Sequence, residues 1–227
     1  MIEFDKLGKR YDTGFEALSD ISFHMEAGEM AFLTGRSGAG KSTLLKLLML
    51  MERPTEGDLF INGTNLNQLS KAQIPTYRRQ LGVVFQNHRL LMDRSLYDNV
   101  ALPLQVSGYP RGEMGRRVRA ALDSVGLLER EQLKPAELSG GEQQRVGIAR
   151  AIVHKPRILL ADEPTGNLDP QLSAEIMALF RRFQTVGVTV LIATHDVSLI
   201  NRMRLRILRL DAGSLVEDSG KRDYDGE

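Results

Sequence analysis

The chain has 227 residues, of which 42% are hydrophobic and 26% charged, a composition that supports a buried core and excludes disordered, collagen-like and coiled-coil proteins. Its 30 Lys and Arg residues nearly balance 29 Asp and Glu residues, and the net charge of +1 provides no bulk attraction to nucleic acids or anionic membranes. Cysteine is absent, no apolar run approaches the roughly 18 residues of a spanning helix, and the N-terminus does not read as a secretory signal, so a soluble or peripheral cytosolic protein is expected.

Short apolar segments that each end at a polar residue predict strands that are covered on both faces, as in a parallel sheet. The first thirty residues and residues 58–62 are instead expected to form a small antiparallel layer. The predicted core strands are residues 30–34, 81–85, 158–161 and 188–194. Because ligands bind at the carboxyl ends of parallel strands, the polar residues that follow these strands are expected to converge.

Helical patterns fill the gaps between these strands. A helix is predicted over residues 42–51, directly after the first core strand. A second helix is expected before the last core strand, with Asp169 as its N-cap and Pro170 at its first position.

The chain is expected to be one domain with two subdomains and a tail. Residues 87–154 show helical patterns without a convincing core strand, which indicates an inserted helical subdomain. Residues 1–86 and 155–214 are left for the core and the antiparallel layer. Residues 215–227 are polar and acidic and are expected to form a mobile tail.

A glycine-rich motif joins the first core strand to the helix that follows it. Its residues fit G-x-x-x-x-G-K-[ST] and are Gly35, Arg36, Ser37, Gly38, Ala39, Gly40, Lys41 and Ser42. The glycines let backbone N–H groups turn inward around a phosphate, and the helix dipole favours an anion there. Lys41 is expected to reach the β- and γ-phosphates and Ser42 to bind Mg²⁺. The alternative is a chance glycine-rich turn before a buried helix.

Two adjacent carboxylates, Asp162 and Glu163, follow the third core strand. Asp162 fits a carboxylate linked to Mg²⁺, whereas Glu163 is the candidate that polarises the attacking water. The alternative is a solvated acidic turn before Pro164.

A second Ser-Gly-Gly turn, formed by Ser139, Gly140 and Gly141, precedes a helix with a buried apolar stripe. This arrangement indicates a second anion site. From spacing alone, an ordinary N-cap followed by glycines is the stronger alternative.

Taken in order, these motifs resemble those of the nucleotide-binding domain of ABC ATPases, over essentially the whole chain. The motifs are the 35–42 loop, Gln86, the LSGGEQQR run at residues 138–145, residues 158–163, Gly166-Asn167-Leu168-Asp169 and His195. The resemblance implies an α/β P-loop NTPase of the RecA-like class. Its mostly parallel sheet core would carry an antiparallel β layer and an inserted helical ABC subdomain.

The resemblance further implies a Mg²⁺-dependent ATPase that forms a head-to-tail homodimer on binding ATP. Each ATP would lie between the 35–42 loop of one copy, extended by Thr43, and the turn at residues 139–141 of the other copy. Tyr11 sits where the family's aromatic residue stacks on adenine.

Three more residues receive roles only from this resemblance. Gln86 would sense Mg²⁺ and the membrane partner, and it is also counted among the Mg²⁺ ligands. Asp169 would belong to the loop that crosses the dimer and is counted among the residues that bind ATP. His195 would contact the γ-phosphate and, with Glu163, Lys41 and Gln86, complete the catalytic set.

Within the ABC ATPases the chain resembles the FtsE family, the ABC ATPases of bacterial cell division. The segments that carry this resemblance are residues 23–25, 28–35 and 90–104. This implies an FtsX-like integral membrane partner, contacted near residues 86–104, and control of septal cell-wall hydrolysis. The location implied is peripheral, on the cytoplasmic face of the inner membrane at the septum, with contacts to cytoskeletal division proteins left open. Basic residues do not interleave with aromatic ones and Trp is absent, which argues against nucleic-acid binding.

Three alternatives to this function stay open. The chain could be the ATPase of a lipoprotein-release, macrolide-efflux or solute-import transporter, which only the partner would distinguish. It could be a soluble ABC ATPase acting on ribosomes or DNA, although it lacks the fused second unit or long insertions typical of those proteins. It could also be an assembly module that needs ATP-driven dimerisation more than turnover.

Overall fold

The computed structural model describes residues 1–166 and 168–220, which form two compact units. One unit comprises Met1–Arg78 with the described part of Thr189–Glu227, and the other comprises Arg79–Val188. Asn167 of the predicted motif and residues 221–227 of the predicted tail lie outside the described residues. The proposed subdomain boundaries at residues 87 and 154 stay a prediction.

Strands and helices alternate along most of the chain, and the predicted α/β class is confirmed. In chain order the elements are β1 (Ile2–Arg10), β2 (Glu16–Met25), β3 (Met30–Thr34), α1 (Lys41–Leu48), β4 (Glu56–Ile61), β5 (Thr64–Asn65), α2 (Ile74–Arg78), β6 (Leu81–Val84), α3 (Leu96–Val106), α4 (Arg111–Ser124), α5 (Gly140–Ile152), β7 (Ile158–Asp162), α6 (Pro170–Thr185), β8 (Thr189–Ala193), α7 (Val197–Met203), β9 (Arg206–Asp211) and β10 (Ser214–Asp218). None of the helices in the described residues is both long and apolar enough to cross a lipid bilayer.

The predicted antiparallel layer forms in the first unit from β1, β2, β4 and β5. Strand β1 pairs antiparallel with β2 on one side and with β4 on the other. Phe4 and Phe23 face each other across β1 and β2, and their rings stack with centroids 4.5 Å apart. Such aromatic pairs add to the stabilisation that comes from burying their area.

In the first unit β3 lies between β8 and β9 and pairs parallel with both. Every residue of β3 and β8 is buried, as their continuous apolar sequences predict for strands covered on both faces. Leu33 pairs with Ala193, so the residues that follow β3 and β8 leave the sheet at the same level.

The expected mobile tail from residue 215 is wrong for its first residues, because Ser214–Asp218 form β10, antiparallel to β9. The two strands are joined by ion pairs, with Arg206 Nη2 2.7 Å from Asp218 Oδ2 and Arg209 Nε 2.7 Å from Glu217 Oε2. This hairpin is ordered although its sequence is polar, because its charged residues pair across the two strands.

In the second unit β6 pairs parallel with β7, and Val84 lies opposite Ala161. A Cβ at Gly82 would stand 2.4 Å from the carbonyl oxygen of Ala151, so this close approach requires glycine. Helices α3, α4 and α5 pack against one another, as the helical pattern predicts. Helix α6 begins at Pro170 with Asp169 as its N-cap, which confirms the predicted start.

Candidate active site

The loop between β3 and α1 has a backbone that only glycine can adopt at two positions. Gly35 has φ of 145°, and a Cβ there would lie 2.4 Å from the carbonyl oxygen of Leu210. Gly40 has φ of 107°, and its Cβ would lie 2.8 Å from the carbonyl oxygen of Ala17. The sequence pattern G-x-x-x-x-G therefore reflects a fixed loop shape in this chain.

The N-terminus of α1 is open to an anion. Its N-cap residue is Gly40, and within the described residues no side chain caps the first turn. The first N–H groups of a helix need acceptors, and the helix dipole favours a negative one. Lys41 folds back over the loop, where its Nζ donates to the carbonyl oxygens of Gly35 at 2.6 Å and Arg36 at 3.1 Å.

The other loop residues differ in exposure. Arg36, Ser37, Gly38 and Ser42 are exposed, whereas Ala39 is buried. An exposed Ser42 hydroxyl at the start of α1 is an oxygen donor of the kind that Mg²⁺ accepts. The exposed side of the loop is therefore polar, and its buried residue anchors it.

Tyr11 lies beside the first turn of α1. Its hydroxyl is 3.5 Å from Oγ1 of Thr43, and Lys9 Nζ lies 5.0 Å from the centre of its ring. This unit thus places an aromatic ring beside the start of α1, and the stacking of that ring on adenine stays a prediction.

His195 leaves the sheet next to the same loop. Leu33 pairs with Ala193, so Gly35 and His195 each follow that pair by two residues. The N–H of Thr194 donates to the carbonyl oxygen of Leu33 at 3.0 Å, which ties the two strand ends together. The imidazole is exposed, and the next residue, Asp196, caps α7; the N–H of Leu199 lowers the pKa of that carboxyl.

In the second unit Gln86 and Glu163 follow paired strands. Val84 lies opposite Ala161, so Gln86 and Glu163 each follow that pair by two residues. An ideal Cβ at Gly166 would lie 3.6 Å from Glu163 Cβ and 3.7 Å from Gln86 Nε2, so all three residues line one small space. Asp162, the last residue of β7, is half-buried.

Glu163 has a strained backbone. Its φ is 46°, in the left-handed region that L-residues with long side chains rarely adopt. Strain of this kind costs on the order of 1–3 kcal/mol and concentrates at functional sites. The residue with this strained backbone is the one whose carboxylate the sequence predicts to polarise the attacking water.

Ser139 caps the helix that it precedes. Its hydroxyl accepts the N–H of Glu142, whose carboxylate in turn accepts the N–H of Ser139 at 2.9 Å. This reciprocal capping box lowers the pKa of Glu142, chiefly through the backbone N–H of Ser139. The N-cap that the sequence left open as an alternative is thus present, and a role in anion binding stays a prediction.

The two glycines after Ser139 have different surroundings. A Cβ on Gly141 would lie 2.8 Å from Cδ1 of Leu172, so this glycine lets α5 approach α6. A Cβ on Gly140 would meet no heavy atom within 4 Å among the described residues, and its φ is not positive. Glycine at position 140 is therefore not needed for local packing or backbone conformation among the described residues, and its predicted role at a nucleotide stays a prediction.

Asp169 performs a clear structural task. Its Oδ1 accepts the N–H groups of Gln171 at 2.9 Å and Leu172 at 3.0 Å at the start of α6. Its predicted contact with ATP stays a prediction.

The segment after Gln86 is held by two residues that sequence reasoning missed. Arg150 of α5 donates to the carbonyl oxygens of His88 at 2.5 Å and Arg89 at 2.6 Å, two residues with positive φ. Burial lowers the pKa of Arg150. The fully buried Asn99 of α3 bonds both backbone groups of Leu91. The available signal is a polar residue on an otherwise apolar helix face.

Each unit thus carries some of the residues that the sequence predicts for phosphoryl transfer. The first unit offers an open helix N-terminus, an ammonium group, an aromatic ring and an imidazole. The second offers a strained carboxylate beside an amide and a self-capped glycine turn. The roles of these residues toward a nucleotide stay predictions.

Comparison with protein families gives a match to ABC transporter over residues 18–166. Among curated proteins, cell division ATP-binding protein FtsE of Escherichia coli K12 is 56% identical over 215 residues, which cover 95% of this chain and 97% of that protein. FtsE of Mycobacterium tuberculosis H37Rv is 46% identical over 225 residues, covering 99% and 98% of the two chains. FtsE of Streptococcus pneumoniae D39 is 44% identical over 224 residues, covering 99% and 97%.

Solved structures give the same fold. A bacterial ABC transporter cassette, solved as a dimer, superposes with a TM-score of 0.88 at 34% identity and covers 99% of this chain and 100% of its own. The same cassette, solved as a dimer in a post-hydrolysis state with ADP and Pi, superposes with a TM-score of 0.88 at 33% identity over 99% and 100% of the two chains. The predicted P-loop NTPase fold is confirmed by these neighbours.

Proposed function

This chain belongs to the ABC transporter ATPase family, and we propose that it is the ATP-binding and ATP-hydrolysing subunit of an FtsEX-type complex in bacterial cell division. The observation that carries the proposal is an identity of 44–56% to FtsE proteins over nearly the full length of both chains. In this proposal the protein dimerises on ATP at the cytoplasmic face of the inner membrane, at the septum. It transmits the change through an FtsX-like membrane protein to control cell-wall hydrolysis.

The proposed chemistry begins with the phosphates of ATP at the N-terminus of α1. Lys41 leaves the carbonyl oxygens of Gly35 and Arg36 and binds the β- and γ-phosphates, while the uncapped N–H groups bind further phosphate oxygens. Tyr11 stacks on the adenine ring. Transfer of a phosphoryl group depends mainly on positioning and charge stabilisation, which these groups supply.

Hydrolysis needs a positioned water and compensation of the developing charge. Glu163 orients the water and accepts its proton, and His195 contacts the γ-phosphate. The hydroxyl of Ser42, the amide oxygen of Gln86 and the carboxylate of Asp162 are the oxygen donors that suit Mg²⁺. When bound, Mg²⁺ neutralises charge on the phosphate oxygens.

The second copy completes the site in this proposal. The turn at Ser139, Gly140 and Gly141 approaches the phosphates bound by the other copy, in a head-to-tail dimer. Support comes from Gly140, because the space beside its Cα is empty and its backbone conformation does not require glycine. Dimeric ABC cassettes of the same fold are consistent with this arrangement.

The membrane partner is proposed to bind the segment held by Arg150 and Asn99. Leu91 and Met92 are exposed there on a segment that the half-buried Arg150 and the buried Asn99 hold by hydrogen bonds. An exposed apolar pair on a rigid support is suited to docking. The test is Met92→Asp, with Val216→Asp as control because Val216 has similar exposure, 48% against 51%. Loss of the partner from only the first variant supports this surface, and its retention contradicts it.

Affinity capture tests the cell-division function. The tagged Glu163→Gln variant is captured from detergent-solubilised membranes of its source cells with ATP and Mg²⁺, alongside Lys41→Ala. Recovery of an FtsX-like protein with the first variant and less with the second is expected. Recovery of a solute permease or lipoprotein-release subunits instead would contradict the cell-division assignment and leave the ATPase chemistry standing.

A further inference from the structure

A groove of about 650 Å³ lies in the second unit, between α4, residues 152–157 and the C-terminal end of α6. None of the residues proposed above to bind ATP lines it. Its wall combines apolar side chains, including Val153, Phe183 and Val186, with four cationic ones. This volume falls in the usual range of ligand pockets, about 300–1,000 Å³.

The cations around the groove are mostly unpaired. Arg116, Lys155 and Arg157 make no ion pair or side-chain hydrogen bond within residues 1–166 and 168–220, and Arg117 is 3.6 Å from Glu113. No acidic side chain is among the described residues that line the groove. The positive charge at this wall is therefore largely uncompensated by the protein itself.

Other arginines of the same unit have acidic partners. Arg119 lies 3.0 Å from the carboxylate of Glu131, although it belongs to the same helix, α4, as Arg116. Arg145 of α5 lies 3.2 Å from Glu175 of α6. Arg116, Lys155 and Arg157 differ from these two arginines in having no acidic partner within residues 1–166 and 168–220.

The apolar wall includes a valine whose exposure the fold does not require. Helices α4 and α6 end in the same way, with a valine C-cap followed by a glycine of positive φ and with two backbone bonds that close the last turn. The C-cap Val125 of α4 is 3% exposed, whereas the C-cap Val186 of α6 is 78% exposed. A polar residue would end α6 equally well, so Val186 is an apolar group without a partner of its own.

We propose that this groove binds an acidic, amphipathic segment of a protein partner. Its apolar side chains would fill the groove and cover Val186, and its carboxylates would pair with Arg116, Lys155 and Arg157. Peptide helices bind grooves of this kind through one apolar face. The charge of the wall selects acidic over basic segments. A flat anionic membrane fits less well, because the apolar wall is recessed, with Val153 only 4% exposed.

The test uses a fluorescent peptide of Leu and Glu in helical register as the probe, with a Leu and Lys peptide of the same pattern as control. Fluorescence anisotropy measures its affinity for the full-length chain. We expect the acidic peptide to bind, and Arg116→Glu combined with Arg157→Glu to weaken it at least about tenfold. The double reversal is compared with Arg111→Glu, a change on the same helix outside the groove.

Because the chain contains no cysteine, a single introduced cysteine reports where the peptide binds. A polarity-sensitive dye on Val186→Cys should change its emission when the peptide binds. The same dye on Val106→Cys should not, since Val106 is equally exposed, at 74%, but does not line the groove. The dye is attached to a chain that keeps the cations of the groove, so this result does not depend on whether the charge-reversed variant folds.

Three results would overturn the proposal. The first is equal affinity for the acidic and basic peptides, or for the Arg111→Glu protein and the double reversal. The second is an unchanged signal from the dye at position 186 during binding. The third is binding of anionic lipid vesicles, without peptide binding, that is lost in the double reversal, which would assign the groove to a membrane.

Discussion

The chain contains two glycine-rich turns that each lead into a helix, and they satisfy the helix N-terminus in opposite ways. At α1 the N-cap is Gly40 in a left-handed conformation, and the first turn has no side-chain cap among the described residues. At α5 Ser139 and Glu142 cap each other's backbone N–H groups. The first turn is open to a ligand, and the second is already closed by its own side chains.

The difference separates the glycines that the fold requires from one that it does not. Gly35 and Gly40 are needed for backbone conformation and space, because Cβ atoms there would overlap neighbouring backbone. Gly140 meets neither requirement. A motif glycine that the fold does not need is a sharper sign of an external contact than one that it does need.

The largest expected effect separates nucleotide binding, which the open turn would provide, from hydrolysis, which needs Glu163. Glu163→Gln should reduce ATP turnover by about 10²–10⁴-fold, because the amide cannot accept a proton from water. Binding of a fluorescent ATP analogue should be retained. Steady-state phosphate release measures the loss, and near-normal turnover would remove Glu163 from the proposed role.

A slightly smaller effect is expected at the open turn. Lys41→Ala should lower turnover by about 10²–10³-fold, because it removes a charge aimed at the transferring phosphate. Lys46→Ala is the matched control, since Lys46 is exposed on the same helix. Equal activity of the two variants in a phosphate-release assay would contradict the phosphate role of the loop.

The comparison between the turns predicts opposite results for one substitution. Gly40→Ala should destabilise the chain by about 2 kcal/mol, since alanine is strained at positive φ and meets Ala17 and Leu18. Gly140→Ala should leave thermal stability unchanged or raise it slightly, because alanine favours helix.

For turnover, Gly140→Ala should still cost about tenfold, since its methyl group occupies the space left for a ligand. Thermal unfolding and phosphate release, measured on the same preparations, separate the two effects. An active and stable Gly140→Ala protein would remove that turn from the site.

The sequence predicts apolar strands well, but it does not predict strands whose charged residues form ion pairs with each other. The strands at residues 30–34 and 189–193 were predictable, because every residue in them is buried and all but Thr34 and Thr189 are apolar. The hairpin of β9 and β10 was not predictable, because its sequence differs in composition from an apolar core strand. Its charged residues are paired across the two strands, as Arg206 is with Asp218. The sequence alone does not distinguish charged residues that pair across two strands from charged residues that stay in solvent.

The site shows the same limit. The motif at residues 35–42 predicts a loop that the backbone confirms, because its glycines encode local geometry. Arg150 and Asn99 were missed, because their bonds to the segment after Gln86 depend on tertiary contacts that no local pattern specifies.

The smallest expected effect concerns the closed turn. Ser139→Ala should lower stability by about 1 kcal/mol through loss of the N-cap. Ser139→Thr should keep most of it, because the hydroxyl remains. The midpoint of thermal unfolding should fall by about 2–4 °C for the alanine variant alone. An unchanged midpoint would mean that the cap contributes no net stability.

The central claim is that the open turn and the closed turn act on one ATP from different copies. Light scattering after size-exclusion chromatography tests it directly on Glu163→Gln. With ATP and Mg²⁺ the mass should rise from 25.4 kDa to twice that value, and adding either Lys41→Ala or Gly140→Ala should restore the single-chain mass. A doubled mass that persists with Gly140→Ala, or no doubling at saturating ATP, would contradict the account.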